Sequence, residues 1–330
     1  MLTRKPVVLI TGTSSGIGLA LLRLLAQRAE DYCVIGTART ESLSKLKAQG
    51  LVENDNLHFL PLDVTQTNEC ESLIAEVQQR WGGVDILINN AGISYRSVVE
   101  HLTEDDVKLQ FETNLFGPLH LARLCLPQMR AKRSGRIINV SSVGGMMAMP
   151  TMGLYSASKF ALEGISEALY YEMRPWDVHV SLIQPGFVRS NSFKNVYISD
   201  AAERALNERG TYSNYYWNMG HFISKLMNNA GATPESIARQ IIRLMERNNP
   251  PLRVPASLDA WFFTLMARIL PRRFYHWFLY KRLPGIRTWG TGQHDDVINA
   301  DSLEEILPAS SKRCPSQVAR PSQQAHDNAR

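Results

Sequence analysis

Val7-Val8-Leu9-Ile10-Thr11-Gly12-Thr13-Ser14-Ser15-Gly16-Ile17-Gly18 stands near the start of the chain, and the helical run Leu19-Ala20-Leu21-Leu22-Arg23-Leu24-Leu25-Ala26 follows it directly. A short β-branched run with no polar alternation suits a strand buried on both faces, as in a parallel sheet. A glycine-rich turn between such a strand and a helix start points backbone N–H groups and a positive helix end at a pyrophosphate. Positions without side chains allow the tight turn and the close approach of backbone to phosphate. The spacing Gly12-x-x-x-Gly16-x-Gly18 departs from the dinucleotide fingerprint G-x-G-x-x-G, so the placement after a first strand carries more weight than the glycines themselves.

Working outward, Cys33-Val34-Ile35-Gly36-Thr37-Ala38 reads as a second strand and ends at Arg39. An acidic residue about twenty positions beyond the glycine loop would take the ribose 2′-hydroxyl of NAD, whereas a basic one suits the 2′-phosphate of NADP. Arg39 therefore points to NADP(H) over NAD(H); its plain alternative is a solvated residue at a strand end. Leu57–Leu62 reads as the third strand, followed by Asp63-Val64, a polar helix near 67–80, and a fourth strand, Val84–Ile88, running into Asn89-Asn90-Ala91-Gly92. A long helical pattern over about 103–131 contains Asn114 and Pro118, poor helix-interior residues, and is expected to kink around 114. Arg136–Val140, ending at Ser141-Ser142, and Val178–Ile183, ending at Pro185-Gly186, read as the fifth and sixth strands. A helix near 233–247 and a last strand at 251–255 follow. Strands alternating with helices predict an α/β fold with a doubly wound parallel sheet of about seven strands, whose ligands sit at the strands' carboxyl ends. Residues 63, 89–92, 142 and 185–186 would gather along that edge.

The chain has 330 residues, 44% of them apolar, and a net charge of +5. That length suits one large domain with extensions. No dense basic run, zinc-type Cys/His spacing or nucleic-acid module is present, so neither a metal nor nucleic acid is expected as a ligand. Cys33, Cys70, Cys125 and Cys314 are scattered and read as free thiols in a reducing compartment. The N-terminal stretch lacks the apolar segment of a signal peptide. These readings point to a cytoplasmic protein.

Tyr155-Ser-Ala-Ser-Lys159 opens a helical run that continues through Ile165. Residues four apart share a helix face, and a cation near a phenol favours tyrosinate, so Lys159 would lower the Tyr155 pKa toward neutrality. Taken alone, the pair is an ordinary surface pair. Together with Thr11-Gly12-x-x-x-Gly16-x-Gly18, Asp63-Val64, Asn89-Asn90-Ala91-Gly92, Asn114, Ser142 and Pro185-Gly186, in this order, it makes the chain resemble the short-chain dehydrogenase/reductase family, most closely its steroid and retinol branch. The resemblance covers about residues 5–190 and, more weakly, reaches about 255. It implies a Rossmann fold and an active site of Asn114, Ser142, Tyr155 and Lys159. Tyr155 would be general acid in reduction or base in oxidation. Lys159 would hold the nicotinamide ribose, Ser142 would stabilise charge on the substrate oxygen, and Asn114 would anchor a water of a proton relay. It further implies a cofactor contacted by Gly12, Ser14, Ser15, Gly16, Ile17, Gly18, Arg39, Asp63, Val64, Asn90, Ala91, Gly92, Pro185, Gly186, Val188 and Ser190, besides Asn114, Tyr155 and Lys159, with Asn89 also along the nucleotide. Where the family often has Val-x-Thr after Pro-Gly, this chain has Val188-Arg189-Ser190, and a serine hydroxyl can make the same bond.

The catalytic domain is expected to span 1–255, with a substrate lid at 190–232. The lid's Tyr197, Tyr212, Tyr215, Tyr216, Trp217 and Phe222 suggest a large lipophilic substrate of steroid, retinoid or fatty-chain type, or else pack the lid onto the domain. Residues 256–289 form an aromatic and basic helical extension, compatible with a membrane surface, a homo-oligomer interface or a cover over the pocket. From about 290 on, hydrophobic periodicity is lost, as in a disordered tail. The activity expected is an NADP(H)-dependent oxidoreductase interconverting carbonyl and alcohol. The rival is a non-catalytic NADP-binding sensor or membrane-associated partner protein.

Overall fold

A computed structural model describes residues 4–28, 30–190 and 196–290. Seven parallel strands form one sheet in the order β3-β2-β1-β4-β5-β6-β7. β1 (Val7–Ile10) is buried at every position, and so is β2 (Cys33–Ala38), as their unbroken apolar runs require. β3 is Leu57–Pro61 and β4 Ile86–Asn89; β5, β6 and β7 are Gly135–Val140, Val178–Gln184 and Arg253–Pro255. Strand order reverses between β1 and β4, which opens a crevice at their carboxyl ends.

Alternation within the strands sorts the core into two layers. Val8 and Ile10 face α1 (Gly16–Ala26) through Leu21, Leu22 and Leu25. Val7 and Leu9 face the other layer, where α3 (Thr67–Trp81) contributes Leu73 and Val77. Between them lies α2 (Thr40–Ala48), a short helix without an expectation in the sequence because only Ser42 and Leu46 are buried along it.

The kink expected near 114 is a π-helical turn. α4 (Glu104–Phe111) starts at a capping box made by Thr103 and Asp106. The chain then widens to a π turn over Glu112–Phe116 and resumes as α5 (Gly117–Lys132) with Pro118 in its first turn, where no N–H is needed. α6 (Gly153–Met173) carries Tyr155 and Lys159. Within the segment expected as a lid, the described residues contain α7 (Asp200–Asn207) and α8 (Ser213–Asn228). α9 (Pro234–Glu246) follows a Thr233–Ser236 capping box and packs beside α1 through Ile237 and Ile241. The helical extension consists of α10 (Leu258–Ile269) and α11 (Arg272–Arg282). Among the described residues, no helix is long and apolar enough to cross a membrane. Cys33, Cys70 and Cys125 are buried free thiols. Cys314, the tail expected from about 290 and lid residues 191–195 lie outside the described residues, save Gly290.

Candidate active site

A cavity of about 880 Å³ opens at the carboxyl ends of the strands. Every residue singled out above as catalytic or cofactor-binding lines it, except Gly18 and Asn114, and Asn89 also lies off it.

At one end is the glycine loop. Gly12 has φ +71°, and a Cβ there would stand 2.7 Å from Ala91 Cα; a Cβ on Gly18 would meet the Gly12 carbonyl at 2.3 Å. Only glycine fits either place. Gly18 thus shapes the loop from behind it. Ser15 caps α1 without a side-chain hydrogen bond, and the first turn holds no acidic residue. The positive helix end is left to the cavity, and the cradle fits a pyrophosphate. Thr11 and Asn90 brace it. Thr11 Oγ1 accepts from the N–H groups of Asn90 and Ala91 (3.0 Å each), and Asn90 Nδ2 donates to the carbonyls of Thr11 (2.9 Å) and Gly12 (3.0 Å).

Beyond β2, Arg39 lines the cavity, as do Ser14 and Ser42, and pairs with Glu41 at 3.2 Å. Asp63 folds its carboxylate onto Thr65, accepting from that residue's N–H (3.0 Å) and hydroxyl (2.8 Å). Val64 lies against the start of α5, where Gly117 leaves no room for a side chain beside the Val64 carbonyl.

At the other end, Ser142 Oγ accepts the Gly144 N–H at 3.0 Å, which leaves its hydroxyl hydrogen for another acceptor. Tyr155 and Ser142 line the cavity together. Burial raises the Tyr155 pKa, and the nearby Ser142 hydroxyl opposes that rise. This reverses the expectation that Lys159 lowers it. Lys159 Nζ instead donates to the Val140 carbonyl at 2.8 Å and lies 5.9 Å from the Tyr155 ring centre. Its own pKa is lowered to about 8 by burial, against the pull of the Glu163 carboxylate one turn on. Glu163 is buried in turn, accepting from Gln184 (2.9 Å) and Arg253 (2.8 Å).

Two asparagines make structural bonds. Both ends of the Asn114 amide bind the Ile93 backbone: Oδ1 accepts its N–H at 2.9 Å and Nδ2 donates to its carbonyl at 3.0 Å. Nδ2 also reaches Ser158 Oγ (3.1 Å), whose hydroxyl donates to the Tyr155 carbonyl (2.7 Å). The side chain thereby ties the π turn to the segment after β4 and to the Tyr155 turn of α6. Asn89, expected along the nucleotide, is buried and donates to Asn139 Oδ1 at 2.8 Å, because alternate residues of β4 point back into the sheet.

The aromatics of the expected lid divide unevenly. Tyr197 lines the cavity, beside Val196, Ile223 and Met227. Tyr216 is buried with its hydroxyl on the Val98 N–H and on His101, and Tyr215 packs on Trp289. Met147, Met149, Met152 and Phe187 add to the cavity's apolar wall. Methionine carries no sequence signature for a pocket, which is why these escaped the motif reading. Gly144 escaped it too; a Cβ there would stand 2.9 Å from the Tyr155 ring. So did Ser257 and Asp259. The Gly186 N–H donates to Ser257 Oγ (2.9 Å) and the Phe187 N–H to Asp259 Oδ2 (2.7 Å), so the start of α10 fastens the loop after β6. Their distance in sequence from Pro185-Gly186 left no local cue.

Residues 6–200 match the family model described as short chain dehydrogenase. The 3-ketodihydrosphingosine reductase of Bacteroides thetaiotaomicron is 36% identical over 249 residues, covering 75% of this chain and 86% of that one. Human 17-beta-hydroxysteroid dehydrogenase type 1 is 33% identical, covering 76% of each. A crystal structure of a short-chain dehydrogenase from Streptomyces avermitilis superposes with a TM-score of 0.67 at 34% identity, over 84% of this chain and 98% of that one.

Proposed function

The chain belongs to the short-chain dehydrogenase/reductase family of oxidoreductases, and on that premise we propose that it is an NADPH-dependent reductase of a ketone on a lipophilic molecule. The observation that carries the reading is one continuous cavity with an uncapped helix start and Arg39 at one end and the Ser142–Tyr155 pair, backed by Lys159, at the other. When bound there, the reduced nicotinamide supplies a hydride to the carbonyl carbon.

The chain's own residues handle the proton. Tyr155 donates its phenolic proton to the carbonyl oxygen as that oxygen gains charge. Burial raises the Tyr155 pKa, so the hydroxyl carries the proton that an acid must give. The Ser142 hydroxyl, with its acceptor side taken by Gly144, donates to the same oxygen. Lys159 keeps its ammonium beneath the Tyr155 ring and stabilises the tyrosinate left behind. Arg39, with Ser14 and Ser42 on the same cavity, receives the 2′-phosphate.

A lipophilic substrate is supported by the methionine-rich wall, which adapts to an apolar outline, and by the names of two relatives, one specifying a ketone of a sphingosine chain and the other a hydroxysteroid. A sensor without catalysis would have no use for Ser142, Tyr155 and Lys159 in one cavity.

The test is NADPH oxidation with a panel of lipophilic ketones. Tyr155→Phe is expected to lower turnover by about 10²- to 10⁴-fold while NADPH still binds. Turnover at the wild-type rate would overturn the assigned acid. Arg39→Asp is expected to shift the preference toward NADH, and an unchanged cofactor ratio would remove the phosphate contact.

A further inference from the structure

The apolar side of the C-terminal extension faces outward. Leu258, Trp261, Leu265 and Ile269 recur at helical spacing along α10, and Phe274, Trp277 and Tyr280 along α11. All are exposed, Leu258 by 89%, Ile269 by 67% and Phe274 by 63%. A stripe with that period ordinarily covers a core. With Phe262, these two helices hold eight of the sixteen large exposed hydrophobic side chains among the described residues, so the patch is concentrated rather than scattered.

Its charge is one-sided. From Leu258 to Gly290 the sequence has six basic residues and one acidic one, Asp259, whose carboxylate is engaged by the Phe187 N–H. Arg268, Arg272, Arg273, Lys281, Arg282 and Arg287 are all exposed. A second copy on this face would set six cations against six, with the one carboxylate of the segment, Asp259, already bound to the Phe187 N–H, which disfavours self-pairing. Nucleic acid would satisfy the cations but not the leucine and isoleucine. An anionic lipid surface satisfies both, with headgroups for the basic rim and hydrocarbon for the stripe, and tryptophan and tyrosine suit the boundary between them.

We infer that α10 and α11 lie flat on a membrane surface bearing anionic lipids. At 12 and 11 residues they are too short to cross it. The face adjoins the cavity wall: Thr264 of α10 reaches Met146, and Leu283 and Ile286 pack in one cluster with the cavity residues Met149, Met152, Ile223 and Met227. On the reductase reading, which this consequence alone rests on, a lipophilic ketone passes from the bilayer into the cavity along that wall.

The experiment is co-sedimentation of the full-length chain with vesicles of phosphatidylcholine alone or mixed with phosphatidylglycerol, without substrate or cofactor, so that its outcome is separate from that of the reductase assay. The chain is expected to pellet with the anionic vesicles, less as salt rises, and to stay in solution with the neutral ones. The variants Arg272→Glu/Arg273→Glu and Trp261→Ser/Trp277→Ser, each with an unchanged urea midpoint, are expected to lose about tenfold or more in partitioning. No pelleting with anionic vesicles, equal pelleting with both, or pelleting that neither variant reduces would overturn the inference. A dimer that Trp261→Ser/Trp277→Ser converts to monomer, with no vesicle binding, would assign the face to a second copy.

Discussion

α6 and the α10–α11 pair are both helical segments whose polarity is turned inside out. α6 buries a lysine and a glutamate one turn apart, Lys159 at 6% exposure and Glu163 at 6%. α10 and α11 expose tryptophan, leucine and phenylalanine along their outer sides. In α6 the inversion is compensated within the molecule. The Val140 carbonyl receives the ammonium, and Gln184 and Arg253 receive the carboxylate. In the extension the described residues offer no such cover, so compensation has to come from outside. A buried charge without a partner costs several kcal/mol, whereas an exposed apolar side chain only forgoes burial. The internal inversion therefore marks chemistry and the external one marks an encounter.

The largest effect should come from breaking the internal compensation. Glu163→Leu leaves Arg253 with Glu167 alone and strips Lys159 of its neighbouring carboxylate, and is expected to cost about 3 kcal/mol, read as a fall in the urea unfolding midpoint. A midpoint within experimental error of wild type would show that α6 does not depend on that network.

Next is the alkaline limb of activity. With the Lys159 pKa lowered to about 8, kcat/KM for reduction should fall above pH 8, by about tenfold per unit once the ammonium is lost. Unfolding does not account for this fall. Between about 8 and the ordinary lysine value of 10.5 the folded chain has released a proton that the unfolded chain still binds, so this group's contribution to stability rises with pH. Because Glu163 holds the Lys159 pKa up, a milder Glu163→Gln change should move the limb to lower pH. A profile flat to pH 9.5 would refute the role of the charged lysine.

A smaller effect is expected where the two regions meet. Asp259→Ala removes the acceptor of the Phe187 N–H and should raise KM for NADPH about fivefold with little change in kcat, corresponding to one hydrogen bond of about 1 kcal/mol. Asp259→Asn, which still offers an oxygen, should restore most of it. Equal losses in both variants would mean that α10 supports the loop by packing alone.

The smallest belongs to the external inversion: Trp261→Ser should change stability by less than about 0.5 kcal/mol, as an exposed position does. A large loss would show that the face is covered within the chain itself.

Much of this was legible in order along the chain. The strands, the glycine loop and the helix at Tyr155 rest on local periodicity, and local periodicity is fixed by which side chains must leave water. The set of residues around the cavity was legible too, because strand ends are where a doubly wound sheet leaves open space. Direction and partner were not. Lys159 turned toward Val140, Asn114 bound the Ile93 backbone, and Asn89 pointed into the sheet. Each choice depends on groups far apart in sequence that only the assembled sheet brings within about 3 Å.

By itself, then, the sequence determined the alternating elements, the glycine cradle and which residues crowd one end of the sheet, since these follow from side-chain size and the period of burial. Tertiary structure alone decided the desolvation that raises the Tyr155 pKa, the fastening of the Gly186–Phe187 loop by Ser257 and Asp259, and the outward turn of the apolar stripe on α10. Desolvation, hydrogen-bond pairing and exposure are properties of surroundings, and surroundings exist only once the chain has folded.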